Sequence, residues 1–261
     1  MTTPQPTART RAVFFDVDFT LIYPRQTFHG DGYRAFCQRY GITVDAALFE
    51  HAVSSASAVL DAAGGVYDPQ IFITYTRRII EGMGGSGTGI DAAARDIYDQ
   101  WSLCSHFEMY DDVPDVLRSL HASGMKIGLI SNTQRCLESF QRHFELEGLF
   151  SVAVSSADHG FMKPHPSIFN AALASTGVGA EEAVMVGDSY AHDIEGALRA
   201  GMRAVLVARS PSARVAAPRS LRAGGSVDAL PADVPVITSL RELPALLSPQ
   251  NFRATDHTDS C

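Results

Sequence analysis

The 261-residue chain is short of positive charge and of long apolar runs. Its 21 lysines and arginines face 29 aspartates and glutamates, which gives a formal net charge of −8, and no basic run or basic helix face is present. Such a surface is unsuited to nucleic-acid phosphates. No stretch reaches the ~18 apolar residues of a membrane helix, and no signal-type apolar segment follows the polar residues 1–11. We therefore expect no nucleic-acid partner, no membrane contact and a cytoplasmic location.

Cysteine is also scarce. The four cysteines, at positions 37, 104, 136 and 261, form neither a CxxC pair nor the framework of a secreted domain, so we expect no disulfide and no zinc site. What the chain does have is 46% hydrophobic and 19% charged residues, the composition of a soluble globular protein. Its length suits a core domain of ordinary size with a smaller second unit.

Short apolar runs separated by helical patterns set the predicted fold class. The runs predict buried strands at 12–16, 126–131, 151–155, 183–187 and 203–207. The patterns predict helices at 113–122, 134–146, 166–175 and 191–200. This alternation indicates an α/β core with a Rossmann-like parallel sheet and helices on both of its faces.

A long interval separates the first two predicted strands. Residues 25–108 are far too many for a normal connection, and their patterns are helical, with helices predicted at 29–40, 45–62, 68–82 and 90–105 and a flexible break at 82–89. We therefore predict an inserted α-helical domain at 25–108 and a core formed by 1–24 and 109–248. Residues 209–231 are predicted to form a loop and 249–261 a flexible tail.

Polar side chains follow the predicted strands at the edge where parallel-sheet proteins bind ligands. They are Asp16, Asp18, Ser131, Asn132, Lys163, Asp188 and Asp193. Clustered carboxylates repel one another unless a cation intervenes, and an oxygen-only set favours a hard divalent ion such as Mg²⁺. A lysine and a serine hydroxyl at the same place would hold phosphoryl oxygens. The combination favours phosphoryl transfer.

Four segments together resemble the motifs of the haloacid dehalogenase-like (HAD) hydrolase superfamily. They are DVDFTL at 16–21, LISNT at 129–133, the pair Lys163-Pro164 and VGDSYAHDIEGALRAGM at 186–202, and the resemblance spans about residues 12–207. The ordered set is far more specific than any one motif alone. The insertion at 25–108 is similar to the helical C1-type cap of the phosphatase branch.

The resemblance implies a role for each matching residue. Asp16 would be the nucleophile that forms an aspartyl-phosphate, and Asp18 would be the general acid and base. The remaining implied phosphate-binding residues are Thr20, which also supports the turn, together with Ser131, Asn132 and Lys163. The implied Mg²⁺ ligands are the carboxylates of Asp16 and Asp188 and the backbone carbonyl of Asp18, with Asp193 binding either directly or through water.

Two positions of the first motif bear on the reaction. Dehalogenases and phosphonate-cleaving relatives lack an acid two residues after the nucleophile, so Asp18 indicates a phosphate ester. Phe19 stands where the family often has Gly or a small polar residue, and its ring is expected to line the mouth of the site or to pack under the cap.

The resulting interpretation is a Mg²⁺-dependent phosphatase that acts on a small phosphorylated metabolite, as a monomer or a homodimer. A sugar-phosphate mutase of the same superfamily and a non-catalytic module that binds a phosphorylated ligand are the alternatives. Candidate substrate contacts in the insertion are Arg25, His29, Tyr33, Arg77 and Arg78, although an arginine pair on a helix is more often a solvated face.

Overall fold

The computed structural model describes residues 9–62, 64–209 and 234–248. Of the predicted loop at 209–231 only residue 209 is described, and the predicted tail at 249–261 lies outside the described residues. Cys37, Cys104 and Cys136 are free thiols, while Cys261 is outside this part. In the described parts of the chain, no helix has the length and apolar character needed to cross a bilayer.

A parallel sheet forms the centre of the molecule. Within the described residues it has six strands, β1 Ala12–Phe15, β4 Lys126–Ser131, β5 Val152–Ser155, β6 Ala183–Gly187, β7 Arg203–Val207 and β8 Val236–Ile237. Their spatial order is β5-β4-β1-β6-β7-β8. The first five match the predicted strands to within one residue at each end. The sixth strand was not predicted, because two residues carry no periodic signal.

Side chains of β1 alternate between two hydrophobic cores, as the pleat of a strand requires. Val13 and Phe15 join the core on one face of the sheet, where α6 (Val113–Ala122), α7 (Leu137–His143) and α11 (Leu243–Leu246) pack. Ala12 and Phe14 join the core on the other face, with α9 (Pro166–Thr176) and α10 (Glu195–Arg199). The predicted α/β core with helices on both faces is thereby confirmed.

Helix boundaries follow the prediction closely in places and depart from it in others. Helix α6 has the predicted bounds, and α7 is shorter than the predicted 134–146. The predicted helix at 191–200 begins as a π-helix at Tyr190–Ile194, immediately before α10. A short helix, α8 (Ser156–His159), follows β5 and was not predicted.

Residues 25–108 form a helical segment, which we call the helical insert. It contains α1 (Gly30–Arg39), α2 (Phe49–Ala56), α3 (Ala58–Asp61), α4 (Pro69–Gly82) and α5 (Ile90–Trp101). The predicted helix at 45–62 is divided into α2 and α3. At the two ends of the insert, β2 (Ile22–Pro24) and β3 (Phe107–Met109) pair antiparallel. Neither strand was predicted, since each is three residues long.

Candidate active site

The carboxyl ends of β1, β4 and β6 meet at one cavity of about 210 Å³ between the sheet and the helical insert. The residues predicted from the strand ends all line it, namely Asp16, Asp18, Ser131, Asn132, Lys163, Asp188 and Asp193. We call these seven side chains the core wall. Thr20 is fully buried and is not part of this lining; its hydroxyl donates to Asp188 Oδ1 at 3.4 Å. This contact fits support of the loop, and phosphate binding by Thr20 stays a prediction.

Lys163 is buried at the centre of the core wall and is one of two lysines in the whole chain. Its Nζ donates to Asp16 Oδ1 and to Asp193 Oδ1, each at 2.6 Å. Burial alone would lower the pKa of Lys163, but the two carboxylates outweigh it and raise the pKa above its ordinary value. Lys163 is therefore a fixed positive charge at the strand ends.

The Asn132 amide positions Lys163. Its Oδ1 accepts from the backbone N–H of Lys163 at 2.7 Å, and its Nδ2 donates to the Lys163 carbonyl at 2.9 Å. Both polar ends of this side chain are thus used within the protein. In this structure Asn132 contributes through the lysine that it holds, whereas direct phosphate contact by Asn132 stays a prediction.

Asp16, Asp188 and Asp193 form a cluster of buried carboxylates, which we call the acid cluster. One oxygen from each residue lies within 4.8 Å of the other two. Burial raises the pKa of Asp16 to about 7, since removal from water disfavours the charged form more than Lys163 favours it. Oxygen ligands at such spacing, with more negative than positive charge around them, fit a hard divalent cation.

Gly187, the last residue of β6, makes room for the acid cluster. A Cβ at this position would collide with the carboxylate of Asp193. With glycine there, Asp193 reaches back over the strand end and its Oδ2 accepts from the backbone N–H of Ser189 at 2.9 Å. The glycine of the fourth motif is therefore needed for the place that Asp193 takes beside Lys163.

The Asp18 carboxylate points to a residue that the sequence analysis missed, Arg135. Arg135 Nη1 donates to Asp18 Oδ1 at 2.8 Å, and its Nη2 donates to the carbonyl of Trp101 at 2.9 Å. The guanidinium carbon lies 4.3 Å from the centre of the Phe107 ring, a cation–π distance. The Arg135 side chain is fully buried. From the sequence it lies at the start of a predicted helix, where an arginine is usually solvated, so no local signal distinguished it.

Phe19 takes a backbone conformation that side chains rarely adopt. Its φ is +65°, in the left-handed region, where a residue with a Cβ is less stable by about 1–2 kcal/mol. A glycine would adopt it freely, which accounts for the small residue that the motif often carries here. The Phe19 ring lines the cavity and its centroid lies 6.4 Å from that of Trp101. The expectation that this ring lines the mouth of the site agrees with its position.

The other side of the cavity is formed by the helical insert and is almost entirely apolar. We call this lining the insert wall; its members are Phe28, Tyr33, Phe49, Val53, Leu60, Phe72, Tyr75, Thr76, Ile79, Ile97, Tyr98 and Trp101. Of the candidate contacts named above, Tyr33 belongs to it, whereas His29 and the three arginines do not. Those arginines form exposed ion pairs, Arg25 with Glu108 and both Arg77 and Arg78 with Glu81.

Hydrogen bonds join the helical insert to the core beside the cavity. The backbone N–H of Met162 donates to the carbonyl of Gly65 at 2.7 Å, directly before Lys163. Gln134 Nε2 donates to the carbonyl of Tyr98 at 2.6 Å. Together with the bond from Arg135 to Trp101, these contacts place the insert over the strand ends.

Comparison with known proteins bears on the family and the fold. A family model described as haloacid dehalogenase-like hydrolase matches residues 74–207. The chain is 31% identical over 207 residues to haloacid dehalogenase-like hydrolase domain-containing protein 3 of Danio rerio, covering 76% of this chain and 85% of the relative. It is also 31% identical over 204 residues to a glyceraldehyde 3-phosphate phosphatase of Methanopyrus kandleri, and this match covers 76% of this chain and 84% of the relative.

Solved structures agree on the fold. The crystal structure of a HAD phosphatase from Thermococcus onnurineus has a TM-score of 0.57 at 19% identity, over 92% of this chain and 99% of that one. A 2-haloacid dehalogenase from Pseudomonas syringae pv. Tomato DC3000 has the same TM-score at 24% identity and the same coverage. Since a phosphatase and a dehalogenase match equally well, the fold alone does not distinguish these reactions. The family match and the relatives show that the chain belongs to the haloacid dehalogenase-like hydrolases.

Proposed function

We propose that the protein is a Mg²⁺-dependent phosphatase that hydrolyses a small phosphate monoester through an aspartyl-phosphate on Asp16. The observation that carries this proposal is the pairing of Lys163 with both Asp16 and Asp193 at the strand ends, in the cavity that Asp18 also lines. Related proteins named as phosphatases, among them the glyceraldehyde 3-phosphate phosphatase above, support a phosphate ester as substrate.

The reaction has two displacements at phosphorus. In the first, an Asp16 carboxylate oxygen forms a bond to phosphorus while the bond from phosphorus to the ester oxygen breaks, and Asp18 gives its proton to the leaving alkoxide. In the second, Asp18 takes a proton from a water molecule whose oxygen attacks phosphorus, and inorganic phosphate leaves Asp16. Lys163 and Ser131 hold the phosphoryl oxygens during both steps.

The acid cluster supplies carboxylates for the proposed Mg²⁺, from Asp16, Asp188 and Asp193, and the backbone carbonyl of Asp18 is the fourth ligand in the proposal. When bound, the ion would neutralise negative charge on the carboxylates and on the phosphoryl oxygens. The Asp18 carboxylate contacts Arg135 and is not a member of the acid cluster. In the proposal it is the group that transfers the proton.

The helical insert acts in this proposal as a cap, with the core formed by 1–24 and 109–248. Closing the crevice would exclude bulk water and large targets such as phosphoproteins. The contacts of Met162 with Gly65 and of Gln134 with Tyr98 support such a role, because they hold the insert beside the reacting groups. A small phosphorylated metabolite is the substrate class that fits.

A phosphatase screen over a metabolite library, with and without EDTA, tests the proposal. We expect phosphate release that requires added Mg²⁺ and that is lost on chelation. Isomerisation of a hexose phosphate with little released phosphate would instead indicate a mutase. If neither a generic aryl phosphate nor any member of the library were hydrolysed, a non-catalytic module that binds a phosphorylated ligand would be favoured.

A further inference from the structure

The insert wall faces the place where the organic part of a substrate must lie. In the proposed reaction Lys163, Asp16 and Ser131, which line the cavity at the strand ends, hold the phosphoryl group, so the remainder of the ester would extend toward the insert. Among the residues that the structure describes, no insert side chain that lines the cavity carries a charge. An apolar wall of this kind favours removal of apolar ligand surface from water.

The hydroxyl groups of the insert wall are already engaged or enclosed. Tyr98 Oη lies 2.7 Å from the hydroxyl of Tyr67, and the Tyr33 hydroxyl shares a hydrogen bond with Thr76. Tyr75 Oη is buried, and no residue in the described parts of the chain gives it a hydrogen-bond partner. The insert wall therefore offers few groups to replace the water that the hydroxyls of a sugar or triose phosphate would lose, which weakens binding on this side. The polar lining residues Gln134, Ser189 and His192 lie on the core side of the cavity.

The size of the cavity suits a single ring. A dry apolar cavity of roughly 150 Å³ can hold a benzene molecule. The present cavity of about 210 Å³ offers that space and, in addition, space at the core wall for the phosphoryl group.

The side chains that remain partly exposed in the insert wall are apolar or aromatic. They are Leu60, Phe72, Tyr98 and Trp101. The ring centroids of Phe72 and Tyr98 lie 6.1 Å apart, and those of Trp101 and Phe28 lie 4.5 Å apart. Aromatic rings prefer neighbours at such distances in tilted or offset arrangements. A ring in the cavity would cover the faces that these side chains still expose.

From these observations we infer that the substrate class is a phosphate monoester of an alcohol that carries one aromatic or similarly apolar ring, such as an arylalkyl phosphate. This inference rests on the proposed phosphatase function and narrows it. It sets the chain apart from the glyceraldehyde 3-phosphate phosphatases to which it is similar, since their named substrate is small and polar.

Three esters of primary alcohols with similar basicity test the inference, so that differences in rate report on binding of the organic group. They are 2-phenylethyl phosphate, glycerol 3-phosphate and glucose 6-phosphate. With Mg²⁺ present, we expect kcat/KM for 2-phenylethyl phosphate to exceed that for either polar ester at least about tenfold, as burial of a few apolar carbons implies. An equal or higher kcat/KM for a polar ester overturns the inference.

Acetyl phosphate separates this outcome from failure of the phosphatase proposal, because its organic part is too small to need the insert wall. Hydrolysis of acetyl phosphate together with a preference for glycerol 3-phosphate overturns the substrate class and leaves the phosphatase intact. If none of the four compounds is hydrolysed, and the metabolite screen is negative as well, the phosphatase proposal fails and the inference fails as a statement about a substrate. Binding then tests only whether the cavity prefers an apolar ring on a phosphorylated ligand.

Trp101 is the one tryptophan of the chain and lines the cavity, so its fluorescence reports binding without turnover. In the Asp16→Asn variant we expect 2-phenylethyl phosphate to change this fluorescence with a Kd at least about tenfold below that of glycerol 3-phosphate. Equal affinities contradict the inference.

A pair of variants localises the effect. Phe72→Ala removes a partly exposed ring from the insert wall and should lower the preference for 2-phenylethyl phosphate over glycerol 3-phosphate severalfold, mainly through KM. Tyr40→Ala removes a ring of the helical insert that does not line the cavity, and the preference should stay unchanged. An equal loss in both variants would attribute the preference to general stability and overturn the assignment to this wall.

Discussion

The core wall and the insert wall enclose one cavity but are made in opposite ways. The core wall has fixed charges at short distances, as in the 2.6 Å contacts of Lys163. Its members come from the ends of four strands, β1, β4, β5 and β6, and from the segments that follow them. The insert wall consists mainly of rings and aliphatic chains, and none of its members carries a charge. The difference indicates two separate roles, in which the core wall provides the reacting groups and the insert wall selects the organic group of the substrate.

The two walls also tolerate change differently. Charge-assisted hydrogen bonds between buried groups depend steeply on geometry, so losing one partner leaves the other buried and uncompensated. Apolar contacts depend mostly on area and volume, and they can be exchanged in small steps. Substitutions in the core wall should therefore stop the reaction, whereas those in the insert wall should shift its selectivity.

The sharpest test of the core wall is Asp16→Asn. The amide keeps the size of the side chain but is a poor nucleophile, so turnover should fall at least about a thousandfold. Steady-state phosphate release measures the loss, and circular dichroism checks that the fold is retained. More than a few per cent of wild-type turnover in a folded variant would refute the nucleophile assignment and, with it, the division between the walls.

Asp188→Asn addresses the acid cluster. Removing one of three buried carboxylates should raise the Mg²⁺ concentration for half-maximal activity at least roughly tenfold. Excess Mg²⁺ should restore part of the turnover. Asp115→Asn, at an exposed carboxylate of α6 outside the cluster, is the matched control and should leave that concentration unchanged. Equal Mg²⁺ requirements in both variants would remove Asp188 from the proposed ligand set.

Arg135→Leu tests a buried side chain that contacts both Asp18 and the end of the helical insert. Loss of the guanidinium should leave Asp18 misplaced and lower kcat about 10- to 100-fold for an alkyl phosphate. The decrease should be smaller for 4-nitrophenyl phosphate, because its leaving group departs without a proton. Asp18→Asn should show the same dependence on the leaving group.

Arg142→Leu is the control for Arg135, since Arg142 is a solvated arginine of α7 with a contact to Ser139. This variant should change kcat neither for the alkyl phosphate nor for 4-nitrophenyl phosphate. If Arg135→Leu lowered the rates of both esters equally, its role would be structural and the positioning of Asp18 would need another explanation.

The smallest effect on turnover is expected from Asp112→Asn, which lies behind the core wall. Asp112 accepts from Arg209 Nη1 at 2.7 and 2.8 Å and from the hydroxyl of Ser239 at 2.6 Å, while Arg209 Nη2 donates to the carbonyl of Thr20. Leaving Arg209 without its carboxylate should lower the free energy of unfolding by about 3 kcal/mol. Urea denaturation measures the loss.

This difference should depend on pH. Burial would raise the pKa of Asp112, but the hydrogen bonds from Arg209 and Ser239 outweigh it and hold the pKa below its ordinary value of 3.8. A carboxylate with a lowered pKa adds stability that is complete above 3.8 and is lost as the pH falls through the lowered value. The difference in free energy of unfolding between wild type and Asp112→Asn should therefore decrease on acidification. A difference that stayed constant would contradict the role of the Asp112 charge.

Local patterns were sufficient for much of the core. The five longer strands and α6 were predicted because apolar runs and turns repeat on a scale that a short window captures. The residues of the core wall were predictable for a related reason, since each follows a strand. Their convergence at one edge is a consequence of parallel topology.

Other features depend on contacts between distant parts of the chain. Arg135 and Asp18 are 117 residues apart in sequence, and nothing near Arg135 indicates that it is buried. The strands β2 and β3 exist through their pairing with each other across the whole insert. The insert wall could not be predicted either, because the helical period shows which side chains are apolar but not which of them face a cavity.

The contacts of the Arg135 guanidinium link the position of the helical insert to the moment at which Asp18 can donate its proton. It rests on the Trp101 carbonyl and the Phe107 ring, which lie where the chain leaves the insert and returns to the core. An outward swing of the insert that carried Trp101 with it would break one of the two hydrogen bonds that steady this group next to Asp18. Asp18 would then be poorly positioned to donate a proton while the insert is open and well positioned once it has closed. The covalent phosphoryl adduct would therefore form chiefly when bulk water is excluded.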